Sequence, residues 1–136
     1  MASHWLVKSE PNAYSFDDLV RDGRTVWDGV RNNAAALHLK AMAKGDQLLF
    51  YHSQEGKEVV GIAEVAKTAF PDKSDPTGRF VAVEIVPVRR LKQSVTLADM
   101  KAESRLAGME MLRQSRLSVS PVSDEQWKTI LKMAKD

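Results

Sequence analysis

The apolar run Trp5-Leu6-Val7 is closed by Lys8-Ser9-Glu10-Pro11, and a proline steers the residue before it out of the helical region, so the pattern predicts a strand ending in a turn. Ser15 followed by Asp18 has the spacing of a capping box, with Phe16, Leu19 and Val20 as the apolar stripe of a short helix and Gly23 as its stop. Thr25-Val26-Trp27 is β-prone and ends at Asp28-Gly29. Beyond it, Asn32 or Asn33 caps a helix that runs to about Lys44, closes at Gly45 and buries Leu39, Met42 and Ala43. Gln47 to His52 and Glu58 to Ala66 are β-rich runs on either side of the polar stretch Ser53 to Lys57, which predicts a hairpin. From Arg79 to Val88 a further strand is apolar at most positions, as a strand buried on both faces would be, and Pro87 limits its pairing near the end.

In the last third, Thr96 with Asp99 starts a short helix, and helical spacing continues from Glu103 to Arg113 through Leu106, Met109 and Leu112, weakened by Gly108. Leu117-Ser118-Val119-Ser120 is a short strand closed by Pro121. Ser123 and Gln126 form a second capping box, followed by Trp127, Ile130, Leu131 and Ala134 on one helical face. Pro71 to Gly78 is the one linker-like stretch and lies inside the domain. Short strands interleaved with helices imply an α+β fold, most simply a curved sheet or small β-barrel of mixed strands with helices packed outside.

A length of 136 residues sets one domain spanning 1–136, and 43% hydrophobic residues fill one core without staples. The absence of cysteine excludes thiol catalysis, cysteine-ligated zinc and iron–sulfur clusters, and fits a cytoplasmic protein. No signal peptide is expected, and no apolar run approaches the ~18 residues of a membrane helix, so no membrane role is expected either. A net charge of +2 is compatible with nucleic acid without arguing for it. Locally, Arg89, Arg90 and Lys92 cluster, Arg105, Arg113 and Arg116 fall in the last third, and Asp17, Asp18 and Asp22 lie near the start; solvated faces account for these as readily as a binding patch.

The three histidines, His4, His38 and His52, lack metal-site spacing, so no metal and no cofactor are expected. No nucleophile elbow, phosphate-binding loop or dinucleotide turn is present, and catalysis has no visible constellation. The enzyme alternative is a small metal-independent ribonuclease using His52, Glu55, Lys57 and Lys8 as base, acid and phosphate clamp. Trp27 points elsewhere. Asp28-Gly29 and the polar cluster Arg31-Asn32-Asn33 follow it, an unusual setting for a pure core residue, and an indole face can stack on a nucleobase while amides and hydroxyls read the base edge. A core role for Trp27 stays open. Gly61 inside a strand marks either a bulge or the close approach of a ligand.

Trp5-Leu6-Val7-Lys8-Ser9-Glu10-Pro11, Trp27-Asp28-Gly29-Val30-Arg31-Asn32, Gly45-Asp46 to Phe50-Tyr51-His52-Ser53, Gly61-Ile62-Ala63-Glu64-Val65 and Leu112 to Val119 together resemble the EVE domain family, in the family's order and over nearly the whole chain. The resemblance implies a PUA-like curved β-barrel, similar to the YTH domains that read methylated adenine in RNA, and therefore a non-enzymatic module whose partner is RNA or DNA carrying a modified base. Its pocket would use Trp27 as the aromatic wall, Lys8 and Ser9 at the mouth, Arg31 and Asn32 as the polar wall, and Ser115, Arg116 and Ser118 from the C-terminal motif. Arg116 and Ser115 would serve the rim or a phosphate, and Tyr51 and Phe80 are the candidates for a second aromatic wall. A small-molecule or partner-binding module using the same pocket is the third alternative. These segments are far apart in sequence, so the fold must bring them to one concave site, with Trp27 partly exposed and Ser9, Asn32 and Ser118 offering hydrogen bonds.

Overall fold

Successive residues of a strand point to opposite faces of a sheet, and in the computed structural model, which describes residues 3–136, both faces of a single sheet are covered. Its strands are β1 (His4–Ser9), β2 (Thr25–Trp27), β3 (Gln47–His52), β4 (Glu58–Pro71), β5 (Val81–Thr96) and β6 (Val119–Val122), in the order β2-β5-β4-β3-β1-β6. β1 runs parallel to β3 and every other pair is antiparallel, so the sheet is mixed. The helices are α1 (Phe16–Asp22), α2 (Asn33–Ala41), α3 (Leu97–Ala102), α4 (Glu110–Arg113) and α5 (Asp124–Met133), with a 3-10 turn at Ser104–Leu106. The fold is α+β.

Alternation divides the core in two. Trp5, Val7, Leu48, Phe50, Val65, Val83 and Ile85 face α1 and α2, meeting Phe16, Leu19, Ala35 and Leu39. Leu6, Leu49, Val59, Ile62, Leu91 and Val95 face the other way, onto Met100, Leu106, Met109, Trp127 and Ile130. The helix starts follow the sequence signals: both capping boxes form, and Asn32 and Thr96 accept from the amides of Ala35 and Asp99.

Four expectations need correction. β5 continues through Pro87 to Thr96: β2 covers only Val83 to Ile85 and leaves that edge of β5 open, and the ladder to β4 shifts register beside the Ala63–Pro87 pair, both settings in which a strand tolerates proline. Pro121 lies within β6 and pairs with Trp5, which an edge strand permits. α2 ends at Ala41, short of Lys44, because the buried carboxylate of Asp46 captures the amide of Ala43 at 2.9 Å and the indole N–H of Trp5 at 2.9 Å. The helical run around Gly108 breaks into a 3-10 turn and the four-residue α4, whose N-cap Met109 offers no side-chain acceptor.

The sheet is also not closed into a barrel. β2 and β6 are its two ends, and no ladder joins them among the described residues. Laid flat, four ladder steps from β2 to β1 would span about 19 Å, yet Trp27 of β2 packs in one cluster with Val7 of β1 and Val119 of β6. The sheet curls until its ends face each other and stops short of pairing. Register shifts supply the bend, four of them between β4 and β5 and one between Phe50 and Tyr51. Gly61 sits among them: a Cβ there would lie 2.5 Å from Phe16 Cζ, so the close approach that requires glycine is by a core ring.

Candidate nucleic-acid interface

The seam between the two ends of the sheet is a cleft of about 720 Å³, within the usual range for small-molecule sites. One wall is the end of β1 and the turn after it, where Ser9 Oγ donates to the Tyr14 carbonyl at 2.6 Å and the amides of Ala13 and Tyr14 both donate to the Glu10 carbonyl at 2.9 Å. The approach to β6 adds Ser118, whose carbonyl accepts from the Lys8 amide at 2.9 Å. Facing them are Thr25 and Trp27 of β2 and the loop through Arg31. Trp27 is 9% exposed, and its ring stands edge-on to Phe50 at 5.5 Å. The expected partial exposure is thus not met: Trp27 is a buried core residue, because its ring packs on Phe50, and it borders the cleft from there.

The β2–α2 loop is braced from behind. Gly29 turns the chain at φ +77°, a conformation few other residues adopt, and its amide donates to Asp72 Oδ2 at 2.9 Å. Arg31 Nη1 reaches the same oxygen at 3.0 Å, Nη2 donates to Ser74 Oγ at 3.0 Å, and the guanidinium lies 5.3 Å from the Phe80 ring centre. The Asp72 carboxylate has no solvent exposure. Burial alone would raise its pKa, but bonds from the Ser74 hydroxyl, the Gly29 amide, Arg31 and the Ser74 amide outweigh burial and hold the group far below the ordinary carboxylate range. Asp75 repeats the device: the Thr77 hydroxyl at 2.6 Å, with the amides of Phe80 and Thr77, lowers its pKa to about 2 against the effect of burial. The apparent linker from Pro71 to Gly78 is thus the brace of the Arg31 wall. Its readable signal was the doubled Asp-x-Ser and Asp-x-Thr spacing of Asp72-Lys73-Ser74 and Asp75-Pro76-Thr77.

Of the residues singled out in the sequence, Lys8, Ser9, Trp27, Arg31 and Ser118 line the cleft. The others stand outside it. Asn32 is spent as the α2 cap, its Oδ1 accepting from Ala35 at 2.9 Å. Tyr51 belongs to the opposite core and lines a separate groove, and Phe80 packs on Arg31 and Arg79. Ser115 and Arg116 border a shallow depression with Asn32 and Arg113. Tyr14, Thr25 and Asp28 line the cleft without having been singled out; the first two follow directly from the turn after Pro11 and the start of β2. Lys8 is half-buried, which lowers its pKa, and its Nζ donates to the Ser115 carbonyl at 2.9 Å.

His52, the base of the ribonuclease alternative, has its Nε2 occupied by the Phe16 amide at 3.1 Å, while Glu55 and Lys57 stand exposed on the β3–β4 hairpin. Among the described residues no cluster of His, Cys, Asp or Glu is arranged to hold a metal, and no helix is long and apolar enough to cross a membrane.

The chain is thus an open, curled α+β sheet with a cleft in its seam that Trp27 and several polar residues line. The chain belongs to the EVE domain family, whose model matches residues 3–133. It is similar to a Rhodopseudomonas palustris protein solved by NMR, at 51% identity and a TM-score of 0.94, covering 98% of this chain and 94% of that one. Human thymocyte nuclear protein 1 is 29% identical over 98% of this chain and 74% of its own length. The structure of the human THYN1 protein in complex with DNA containing 5-methylcytosine matches with a TM-score of 0.90 over 99% of both chains, at 29% identity. A Zygosaccharomyces rouxii YTH domain in complex with N6-methyladenosine RNA shares the fold, with a TM-score of 0.60 at 19% identity over 98% of this chain and 86% of that one.

Proposed function

We propose that this protein is a nucleic-acid-binding module, not an enzyme, and that it holds one modified base, turned out of its strand, in the cleft against Trp27. The observation that carries this reading is convergence: Lys8, Ser9, Trp27, Arg31 and Ser118, drawn from three distant segments, line one cleft. Turning a base out costs a few kcal/mol of lost stacking. Stacking on Trp27 returns about 1–3 kcal/mol per base, and hydroxyl, amide and guanidinium groups around the edge return the rest. The human THYN1 protein bound to 5-methylcytosine DNA, alike in fold over nearly the whole chain, supports the same class of ligand.

The test is a titration of the protein with short single strands, DNA and RNA, that carry 5-methylcytosine, N6-methyladenosine or neither. The wild type prefers one modified strand, and Trp27→Ala loses that preference by about 5- to 150-fold, the equivalent of the stacking energy. Trp27 is also core, so Trp27→Phe, which keeps an aromatic edge on Phe50, is measured beside it and loses preference in part. Equal binding of modified strand by wild type and a folded Trp27→Ala refutes the reading.

A further inference from the structure

Lys8 lines two concavities, the Trp27 cleft and a groove of about 260 Å³ that continues across it. The groove has an apolar floor of Leu97, Met111 and Leu112, and its cations are Lys8, Lys57 and Lys101. No carboxylate lines it, whereas the depression along α5 mixes Asp124 and Glu125 with Arg105, Lys128 and Lys132. Among the described residues none of the three groove lysines has a carboxylate within ion-pair distance, while Arg113, in the neighbouring depression, is already turned to Glu110. The groove is firmly built. The Leu97 amide donates to the Lys57 carbonyl at 2.8 Å and ties the hairpin to the start of α3, and Lys8 stands 5.8 Å from the Tyr51 ring.

We propose that this groove is a second subsite, which takes the sugar-phosphate backbone of the nucleotides next to the base held at Trp27. The inference rests on the base-binding reading for what occupies the cleft. It adds the path of the strand: the base enters the seam, the backbone crosses Lys8, and the next phosphates lie between Lys57 and Lys101 with sugar or base on the apolar floor. Cations without competing carboxylates suit phosphates, and phosphate contacts act through counterion release whatever the base sequence.

The experiment follows binding of a single strand of about twelve nucleotides, with and without a central 5-methylcytosine, and of 5-methyldeoxycytidine monophosphate, from about 50 to about 300 mM salt. The variant is Lys57→Asn with Lys101→Gln; asparagine suits the left-handed backbone at residue 57, where φ is +43°. Two phosphate contacts on a single strand correspond to a slope of about 1.4 in log affinity against log salt, or about 25-fold in affinity near 0.1 M salt. Both strands should weaken by that factor, with their ratio and the affinity of the mononucleotide unchanged. The control, Lys128→Gln with Lys132→Gln, removes the same charge elsewhere and should leave the slope unaltered.

A groove variant with the wild-type slope overturns the subsite, as does an equal loss in the control, which would mean diffuse attraction. A wild type that binds strands without preferring the modified one overturns the base reading instead, and the slopes still decide the groove. Binding of the mononucleotide but of neither strand overturns the groove alone.

Discussion

Asp72→Asn tests whether the cleft is braced from behind. The carboxylate accepts on one oxygen from Gly29 at 2.9 Å and Arg31 at 3.0 Å, and on the other from the Ser74 amide at 2.8 Å and hydroxyl at 2.6 Å. An asparagine amide must turn its NH₂ towards one pair. The hydroxyl can rotate and accept, but a backbone N–H of Ser74 or Gly29 then faces a donor. Losing one charge-assisted bond costs about 1.5–3 kcal/mol and an unmet buried N–H about 1–3; with Arg31 40% exposed and its pair weakened by solvent, the total is about 3 kcal/mol. For a chain of 136 residues the unfolding entropy is about 2.1 cal/mol/K per residue, so Tm should fall by about 10 °C. The assay is thermal and urea unfolding of both proteins at neutral pH, with strand binding alongside.

The pH dependence carries a second signature. The folded pKa of Asp72 lies below its unfolded value, so its contribution is complete above the unfolded pKa of about 4 and is lost as pH falls towards the folded value. The gap between wild type and Asp72→Asn should therefore narrow below about pH 4. A gap under about 0.5 kcal/mol at neutral pH, the usual scatter of surface substitutions, would refute the brace.

Gly61→Ala drives a methyl to 2.5 Å from the Phe16 ring and should cost about 1–3 kcal/mol or more in a urea melt. Phe16→Leu on that background should return part of the loss, and strictly additive costs would exclude the contact. Burial lowers the pKa of His52, whose Nε2 accepts from the Phe16 amide. Since its folded pKa lies below the unfolded value of about 6.5, the stability it protects is complete above that pH and fades as pH falls through the folded value. His52→Gln should flatten the stability profile between about pH 7 and pH 5 relative to wild type, and an unchanged profile argues against it. Arg116→Ala removes an exposed cation beside the seam and should weaken every strand alike, reducing the salt slope by about 0.7; a change confined to the modified strand would make Arg116 a reader of the base.

Element types were legible because local signals and packing agree. Ser15 with Asp18 and Ser123 with Gln126 cap helices wherever those helices pack. Ends were less legible when a distant residue set them. Pro87 continues a strand because β2, 60 residues upstream in sequence, is too short to cover that edge, and α2 stops early because Asp46 waits beyond it. The site divides the same way. Trp27, Lys8, Ser9, Arg31 and Ser118 belong to short strings that could be read, and the cleft gathers them. Asn32 was read as polar wall, but an N-cap consumes its acceptor, and Tyr51 is turned to the other face by strand alternation. The curvature was expected and Gly61 marked one irregular stretch, but that the curled sheet stops short of closure was not legible, because no local pattern says whether β2 and β6 pair.

The bond from the Lys8 side chain to the Ser115 carbonyl joins residues 107 positions apart, and β6, the strand beside β1, comes later still. At a synthesis rate of about 5–20 residues per second, β1 waits several seconds with one edge bare after it leaves the ribosome. β3 can cover one edge early, but the wall formed by the end of β1 lacks Ser118 until the last strand arrives. The complete cleft is then a property of the finished chain alone. A product truncated before Ser118 would keep the Trp27 string while lacking both that part of the cleft wall and the strand that closes the bare edge of β1.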